Sequence, residues 1–284
     1  MIDVDLFTDP GCPWAYSAEP QRLRLRWLYG DAMRVTPRMV VLAERPEEYE
    51  ERGFTTEVQA GALATIQERF GMPIDLGVRP RMAATAPACR AVVATRLHAP
   101  ERADALLRRL RVRAMAGDLL DERATIAGAA REAGVDPDLL ERWEGAPETE
   151  AALREDMHAA RHPVPAALAL DHKLAGWEGG RRYTCPSWVM TSDGTSEVAP
   201  GFQPLESYEV LVANLAPELE RRADPESVEE VLAWAGEPLA TAEVALLCGL
   251  GPEKARERLA AVADERRVGP EGFWTLPARP GQGA

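Results

Sequence analysis

The spacing of apolar and polar side chains along the chain predicts a sheet interrupted by helices. Residues 2–8 (Ile-Asp-Val-Asp-Leu-Phe-Thr) alternate as a strand does. Helical spacing follows over 13–29, closed by Gly30-Asp31, with a bend expected near Pro20. A second strand is predicted over 33–43, where Pro37 requires an edge or a bend. From about 55 to 160 the pattern is almost wholly helical, in segments 55–70, 80–98, 101–116, 122–133, 136–144 and 147–160. Pro100, Gly117, Gly134, Pro137 and Pro147 punctuate them. Strand patterns return at 183–191 and about 195–199, joined by the turn signal Ser192-Asp193-Gly194-Thr195, and a helix over 204–222 follows. This order implies an α/β domain over 1–222 whose small sheet carries a helical subdomain inserted at about 55–160.

Residues 223–284 read as a second unit. Helical spacing near 225–235, 240–249 and 252–265 precedes a short hairpin over 268–276, an order that resembles a winged helix. The tail 278–284 is expected to be disordered.

Charge narrows the possible partners. The net charge is −13, with 31 arginines and two lysines, Lys173 and Lys254. This balance disfavours nucleic acid and anionic membranes. The candidate recognition helix and its surroundings, 252–267, carry a net of only +1, and 223–284 carries −5. A phosphate-tracking surface needs more, so packing, partner docking or formation of a homodimer is the expected use of this unit. No apolar run approaches the length of a membrane span. The first strand pattern begins at Ile2, which leaves no room for a signal peptide and predicts a reducing, cytoplasmic location.

The four cysteines, Cys12, Cys89, Cys185 and Cys248, are too scattered for a metal knuckle or a secreted scaffold. No metal site is expected. His158 and His162 share a helix face but lack a third ligand, and Cys89 and Cys248 sit in apolar helical stretches as packing residues. Cys12 differs. In Phe7-Thr8-Asp9-Pro10-Gly11-Cys12-Pro13-Trp14-Ala15 it falls between a strand and a helix that starts with Pro13. Amides at a helix N-terminus stabilise a thiolate, and proline suits the first helical position. Trp14 and Tyr16 are expected to flank the thiol as an apolar wall. Ala15 stands where a second cysteine of a Cys-x-x-Cys motif would be, so no disulfide can form within the motif.

Tyr183-Thr184-Cys185-Pro186-Ser187-Trp188-Val189-Met190 reads as an apolar strand with proline at its start, where a cis bond is permitted. With Phe-x-Asp-Pro-x-Cys-Pro-Trp at the front, a long helical insertion and this late Pro-Ser-Trp-Val, residues 2–222 resemble the DsbA-like family of thioredoxin-fold proteins. That family also includes kappa-class glutathione transferases and 2-hydroxychromene-2-carboxylate isomerases. The resemblance implies that Pro186 is cis and faces Cys12, that Pro13, Trp14, Tyr16 and Pro186 border a substrate, and that Cys185 lies near enough to Cys12 to replace the missing resolving cysteine. The alternative for Cys185 is a small packing residue. Residues 163–182 depart from the family as an extra loop, either a lid or a passive surface segment.

Three functions fit. The first is a thiol–disulfide oxidoreductase acting through Cys12 on a thiol or disulfide substrate, protein or small molecule, with Cys185 or a low-molecular-weight thiol resolving the mixed disulfide. No other cofactor is implied. The second is a kappa-type transferase or isomerase that activates a bound thiol. The third is a non-catalytic adaptor on a degenerate thioredoxin fold.

Overall fold

The structure, a computed structural model, describes residues 1–277; the tail expected to be disordered lies outside them. A four-stranded sheet has the order β2-β1-β5-β6, formed by β1 (Ile2–Thr8), β2 (Met33–Met39), β5 (Ser187–Ser192) and β6 (Thr195–Ala199). β1 runs parallel to β2 and antiparallel to β5, and β5–β6 is the hairpin expected from Asp193-Gly194. The alternation along β1 has the predicted consequence. Ile2, Val4 and Leu6 are buried, while Asp3 and Asp5 point outward to Arg34 at 2.6 Å and Arg38 at 2.7 Å on β2.

The helix after Cys12 is broken rather than bent. α1 (Pro13–Ser17) ends at Ala18, and α2 (Glu19–Tyr29) starts afresh with Pro20 in its first turn. Pro20 has no N–H to donate to Tyr16, so a continuous ladder cannot pass this point. β2 is shorter than predicted. After Met39 the chain turns away at Val41, whose φ of 57° is unusual for a β-branched residue. The next two amides, of Leu42 and Ala43, bond to side chains of Asp9 and Thr85 instead of a strand.

The inserted subdomain comprises α3 (Glu47–Glu51), α4 (Thr56–Phe70), α5 (Ala86–His98), α6 (Pro100–Ala116), α7 (Arg123–Glu132), α8 (Pro137–Glu144) and α9 (Pro147–Ala160). It has its own core, with Val92, Leu106, Leu110, Ile126, Leu140 and Leu153 buried at its centre. Thr55 caps α4 by accepting from the Val58 amide, and Gly71 closes it in the left-handed conformation. The stretch 71–85 is irregular, so the helix expected from residue 80 begins only at Ala86, with Pro87 in its first turn. α3 was not foreseen: its Glu-Glu-Tyr-Glu-Glu sequence has no apolar periodicity.

The extra segment 163–182 folds as α10 (Pro165–Leu168), a turn of 3₁₀ helix and a small hairpin of β3 (Ala175–Trp177) and β4 (Gly180–Arg182). α11 (Leu205–Leu215) stops seven residues short of the expected end, because Pro217 disfavours a helical Ala216.

Beyond it lie α12 (Val228–Ala235), α13 (Thr241–Leu247) and α14 (Pro252–Ala260), with a three-stranded antiparallel sheet of β7 (Leu239–Ala240), β9 (Glu271–Thr275) and β8 (Asp264–Val268) in that order. The hairpin begins earlier than predicted. β8 is Asp-Glu-Arg-Arg-Val with four exposed side chains, so pairing with β9 makes it a strand and no hydrophobic alternation announces it. This C-terminal part shares its core with the main sheet: Val231, Leu247, Leu259 and Trp274 pack in one cluster with Val4, Trp27, Trp188 and Met190.

Arginines complete the join. Arg108 on α6 bonds Glu243 on α13 at 2.6 and 3.0 Å and reaches Glu19 on α2 at 3.3 Å. Arg111 bonds Glu19 and the Thr8 hydroxyl. Gly269, between β8 and β9, lies so close to the backbone of Ile74 that a Cβ would sit 2.0 Å from the Ile74 carbonyl oxygen.

Candidate active site

Cys12 sits at the N-cap of α1 with φ −81° and ψ 113°, and its side chain is not used as a cap. Pro13 occupies the first helical position. The amides of Trp14 and Ala15 are therefore free to face the thiol, and both favour its anionic form. Gly11 is needed for the turn into the helix, since a Cβ there would come within 2.7 Å of the Thr85 methyl group.

The turn is anchored by Asp9, which is fully buried. Its Oδ1 accepts from the Gly11 amide at 2.7 Å. Its Oδ2 accepts from the Thr85 hydroxyl at 2.8 Å, the Leu42 amide at 2.9 Å and the Cys89 thiol at 3.5 Å. One carboxylate thus ties the cysteine turn to the end of β2 and to the start of α5. Sequence reading gave Asp9 only as a motif letter and treated Cys89 as packing. Three of the four donors come from two distant segments, 42 and 85–89, that only folding brings to Asp9.

Cys185 lies across from Cys12. The Cys185–Pro186 peptide bond is cis, and Pro186 is buried. The loop that presents them is braced on both sides. Ser187 Oγ donates to the Thr184 carbonyl at 2.6 Å and accepts from the Gly201 amide at 2.9 Å, and Thr184 Oγ1 donates to Lys173 O at 2.8 Å. Cys12 is 6 % exposed, Cys185 is buried, and both are free thiols.

When Cys12 carries its proton, Sγ donates to the Cys185 carbonyl at 3.4 Å. When it is ionised, the Cys185 thiol donates to it instead. That bond is the largest influence on Cys12 and lowers its pKa below the ordinary thiol value. Burial and the Asp9 charge oppose the shift, and the Ala15 and Trp14 amides support it. The same bond and burial push Cys185 well above the ordinary value. The pair therefore divides into one thiol that ionises readily and one that keeps its proton.

Trp14 lies beside Cys12 at the edge of the site. It is 38 % exposed and packs edge-on against Phe70 at 5.6 Å and Phe202 at 6.1 Å, with the Arg69 guanidinium 5.8 Å from its ring. Tyr16 does not border it: the side chain is buried in another cluster, and its hydroxyl donates to Pro73 O at 2.8 Å. Tyr16 lies two residues on from Trp14, about 200° around α1, and so faces α4 and the C-terminal sheet.

A cavity of about 440 Å³ opens beside Cys12, between α1, α3, α4 and the segments 79–85 and 118–120. Its lining includes Pro13, Trp14, Tyr49, Gln59 and Leu63. Cys185, Pro186 and the segment 163–182 do not line it, so Cys12 stands between its partner thiol on one side and this space on the other. His158 and His162 stack on each other at 3.9 Å, and among the described residues no cluster of three or more metal-binding side chains exists.

A sheet of order β2-β1-β5-β6 with a cysteine at a helix start, opposite a cis-proline loop, defines a thioredoxin-fold protein with a thiol site. The sequence matches the DsbA-like thioredoxin domain over residues 3–163, and the chain belongs to that family. Among solved structures it is similar to a probable DsbA oxidoreductase from Streptomyces coelicolor, at 17 % identity and TM-score 0.55, covering 80 % of this chain and 93 % of that one. It is also similar to the cytosolic disulfide reductase DsbM from Pseudomonas aeruginosa, at 18 % identity and TM-score 0.52, covering 74 % and 91 %. The same DsbM with GSH aligns at 17 % identity and TM-score 0.51, covering 74 % and 92 %. At these identities the likeness is one of fold. No curated protein matches the sequence. Among the described residues no helix is long and apolar enough to cross a membrane.

Proposed function

We propose that the protein is a thiol–disulfide oxidoreductase in which Cys12 attacks and Cys185 resolves. The observation that carries this reading is that Cys12, at the start of α1, bonds the Cys185 carbonyl at 3.4 Å, so that two free thiols of opposed pKa shift face each other. The Cys12 thiolate attacks one sulfur of a substrate disulfide; the S–S bond breaks, one substrate thiolate leaves, and a mixed disulfide remains on Cys12. Cys185 then gives up its proton to the departing thiolate and attacks the Cys12 sulfur. The second substrate thiol is released, and a Cys12–Cys185 disulfide remains. Two electrons have passed to the substrate.

Two equivalents of a low-molecular-weight thiol restore the dithiol and are themselves oxidised to their disulfide. The similarity to a cytosolic disulfide reductase whose structure also exists with GSH agrees with this choice of reductant and with a reducing location. The Cys185 thiol keeps its proton until the mixed disulfide has formed, which prevents the resolving thiol from competing for substrate.

Peptide mapping after one equivalent of oxidant tests the pairing. The expected product is a Cys12–Cys185 disulfide with two fewer free thiols. Cys12 ending as a sulfenic acid or a small-thiol adduct, with Cys185 free, would overturn it. Turnover of a small disulfide that survives Cys12→Ala would remove Cys12 as the attacking thiol, and no turnover by the wild type would leave the adaptor.

A further inference from the structure

The cavity beside Cys12 has a distinctive polar balance. Its walls are mostly apolar, from Trp14, Phe54, Leu63, Ile66, Met115 and Leu120. Four charged residues line it, and each is already paired. Arg52 bonds Glu48 at 3.0 Å, Arg79 bonds Asp75 at 3.1 Å, Arg81 bonds Asp121 at 2.7 Å, and Asp118 accepts from Arg113 at 2.8 Å. Two other polar groups are unused. Among the described residues Gln59 Oε1 is buried without a hydrogen-bond partner, and no side chain bonds the Tyr49 hydroxyl. Burial, then the charges of Asp9 and Cys12, raise the Tyr49 hydroxyl well above its ordinary pKa, so it remains a neutral donor.

We propose that this cavity binds a small, uncharged, mostly apolar molecule that accepts from Tyr49 or donates to Gln59, and that such molecules, rather than polypeptides, are what Cys12 acts on. The second half rests on Cys12 being the attacking thiolate. The first half stands on the cavity alone.

Three physical points favour this occupant. The volume lies in the range of small-molecule pockets. An extended peptide brings an N–H and a C=O with every residue, and two unpaired polar groups cannot satisfy them. An anion would have to pull a guanidinium from its own carboxylate or stay uncompensated in an apolar space, and either is costly. Trp14 lines the cavity while remaining exposed, and so marks its mouth.

Phenylpyridine and biphenylcarboxylate, alike in size and different in charge, make the test on the full chain carrying Cys12→Ser, which separates binding from thiol chemistry. Phenylpyridine should bind and quench tryptophan emission; biphenylcarboxylate should bind at least about tenfold more weakly. Tyr49→Phe should weaken phenylpyridine by about fivefold through the lost hydrogen bond. Ala62→Trp, which fills the cavity, should abolish binding with the melting transition retained. No phenylpyridine binding, equal binding of the anion, or binding indifferent to both substitutions would overturn the proposal.

On the wild-type protein, modification of Cys12 by neutral dithiodipyridine should saturate with concentration, with Cys12→Ala giving the background. Modification by the dianion dithiobis(nitrobenzoate) should stay linear. Linear kinetics with both reagents would sink the assignment of substrate to the cavity while leaving Cys12 as a thiolate. A Cys12 unreactive even to iodoacetamide would instead sink the oxidoreductase reading.

Discussion

Glu19→Gln removes the charge on which a buried cluster of arginines depends. Glu19 is 1 % exposed and faces three guanidinium groups: Arg22 at 2.7 Å, Arg108 at 3.3 Å and Arg111 in direct contact. Burial alone would raise its carboxyl. The charges of Arg22, Arg111 and Arg108 together outweigh burial and hold it at about 2, against 4.5 for the free group. Arg22 and Arg108 keep other carboxylates, Asp104 and Glu243. Arg111 does not; its other partner is the Thr8 hydroxyl, and it is 2 % exposed. The substitution therefore strands one buried cation, which costs about 3–5 kcal/mol.

The pH dependence carries the sign. A depressed carboxyl contributes stability that is complete above the unfolded value near 4.5 and is lost as pH falls toward 2. The shift corresponds to about 3.4 kcal/mol, of which about 1.4 kcal/mol is already gone at pH 3.5. Urea unfolding of wild type and Glu19→Gln at pH 7 and at pH 3.5 reads both quantities. The expected gap is about 3 kcal/mol or more at pH 7 and narrower by about 1.4 kcal/mol at pH 3.5. Adding Arg111→Met, which removes the stranded cation, should recover much of the loss. A gap below about 0.5 kcal/mol at pH 7 would place Glu19 among surface charges and refute the reasoning, as would a gap that does not change with pH.

Gly269→Ala should destabilise far more than Gly236→Ala. Both have positive φ, 62° and 64°, but only at 269 does a Cβ strike backbone. Gly236→Ala should cost about 1 kcal/mol for the strained conformation alone, and Gly269→Ala at least about 1 kcal/mol more, with equal midpoints in urea as the contrary result. Cys185→Ala should raise the midpoint of Cys12 alkylation by iodoacetamide against pH, because the thiolate loses its strongest donor; an unchanged or lower midpoint would show that the helix amides alone set it.

The strand and helix order was open to reading because period and punctuation are local. The alternation in 2–8, the turn at Asp193-Gly194 and the proline-started helix after Cys12 need no distant partner to be recognised. Cys12 was legible for the same reason: a thiol between a strand and Pro13 has few structural explanations. Cys185 and Pro186 were legible through resemblance to a family. The contact between Cys12 and Cys185 spans 173 residues of sequence, which no local pattern encodes.

What only the tertiary structure decided concerns side chains whose partners lie far along the chain. Tyr16 and Trp14 are two residues apart and both aromatic. One is buried against Pro73 and the other borders the site, because the packing of α4 and the C-terminal sheet determines which face of α1 is covered. Asp9 gathers donors from three segments, and Glu19 is fixed by arginines some 90 residues away. Gln59 and Tyr49 gave no sequence signal at all, since an unpaired polar group is defined by what surrounds it. The C-terminal part reads as a separate unit because its helices are amphipathic by themselves. Which surface those apolar faces cover is a matter of shape and of buried charge, and the chain brings these together only when the sheet, α2 and α13 have met.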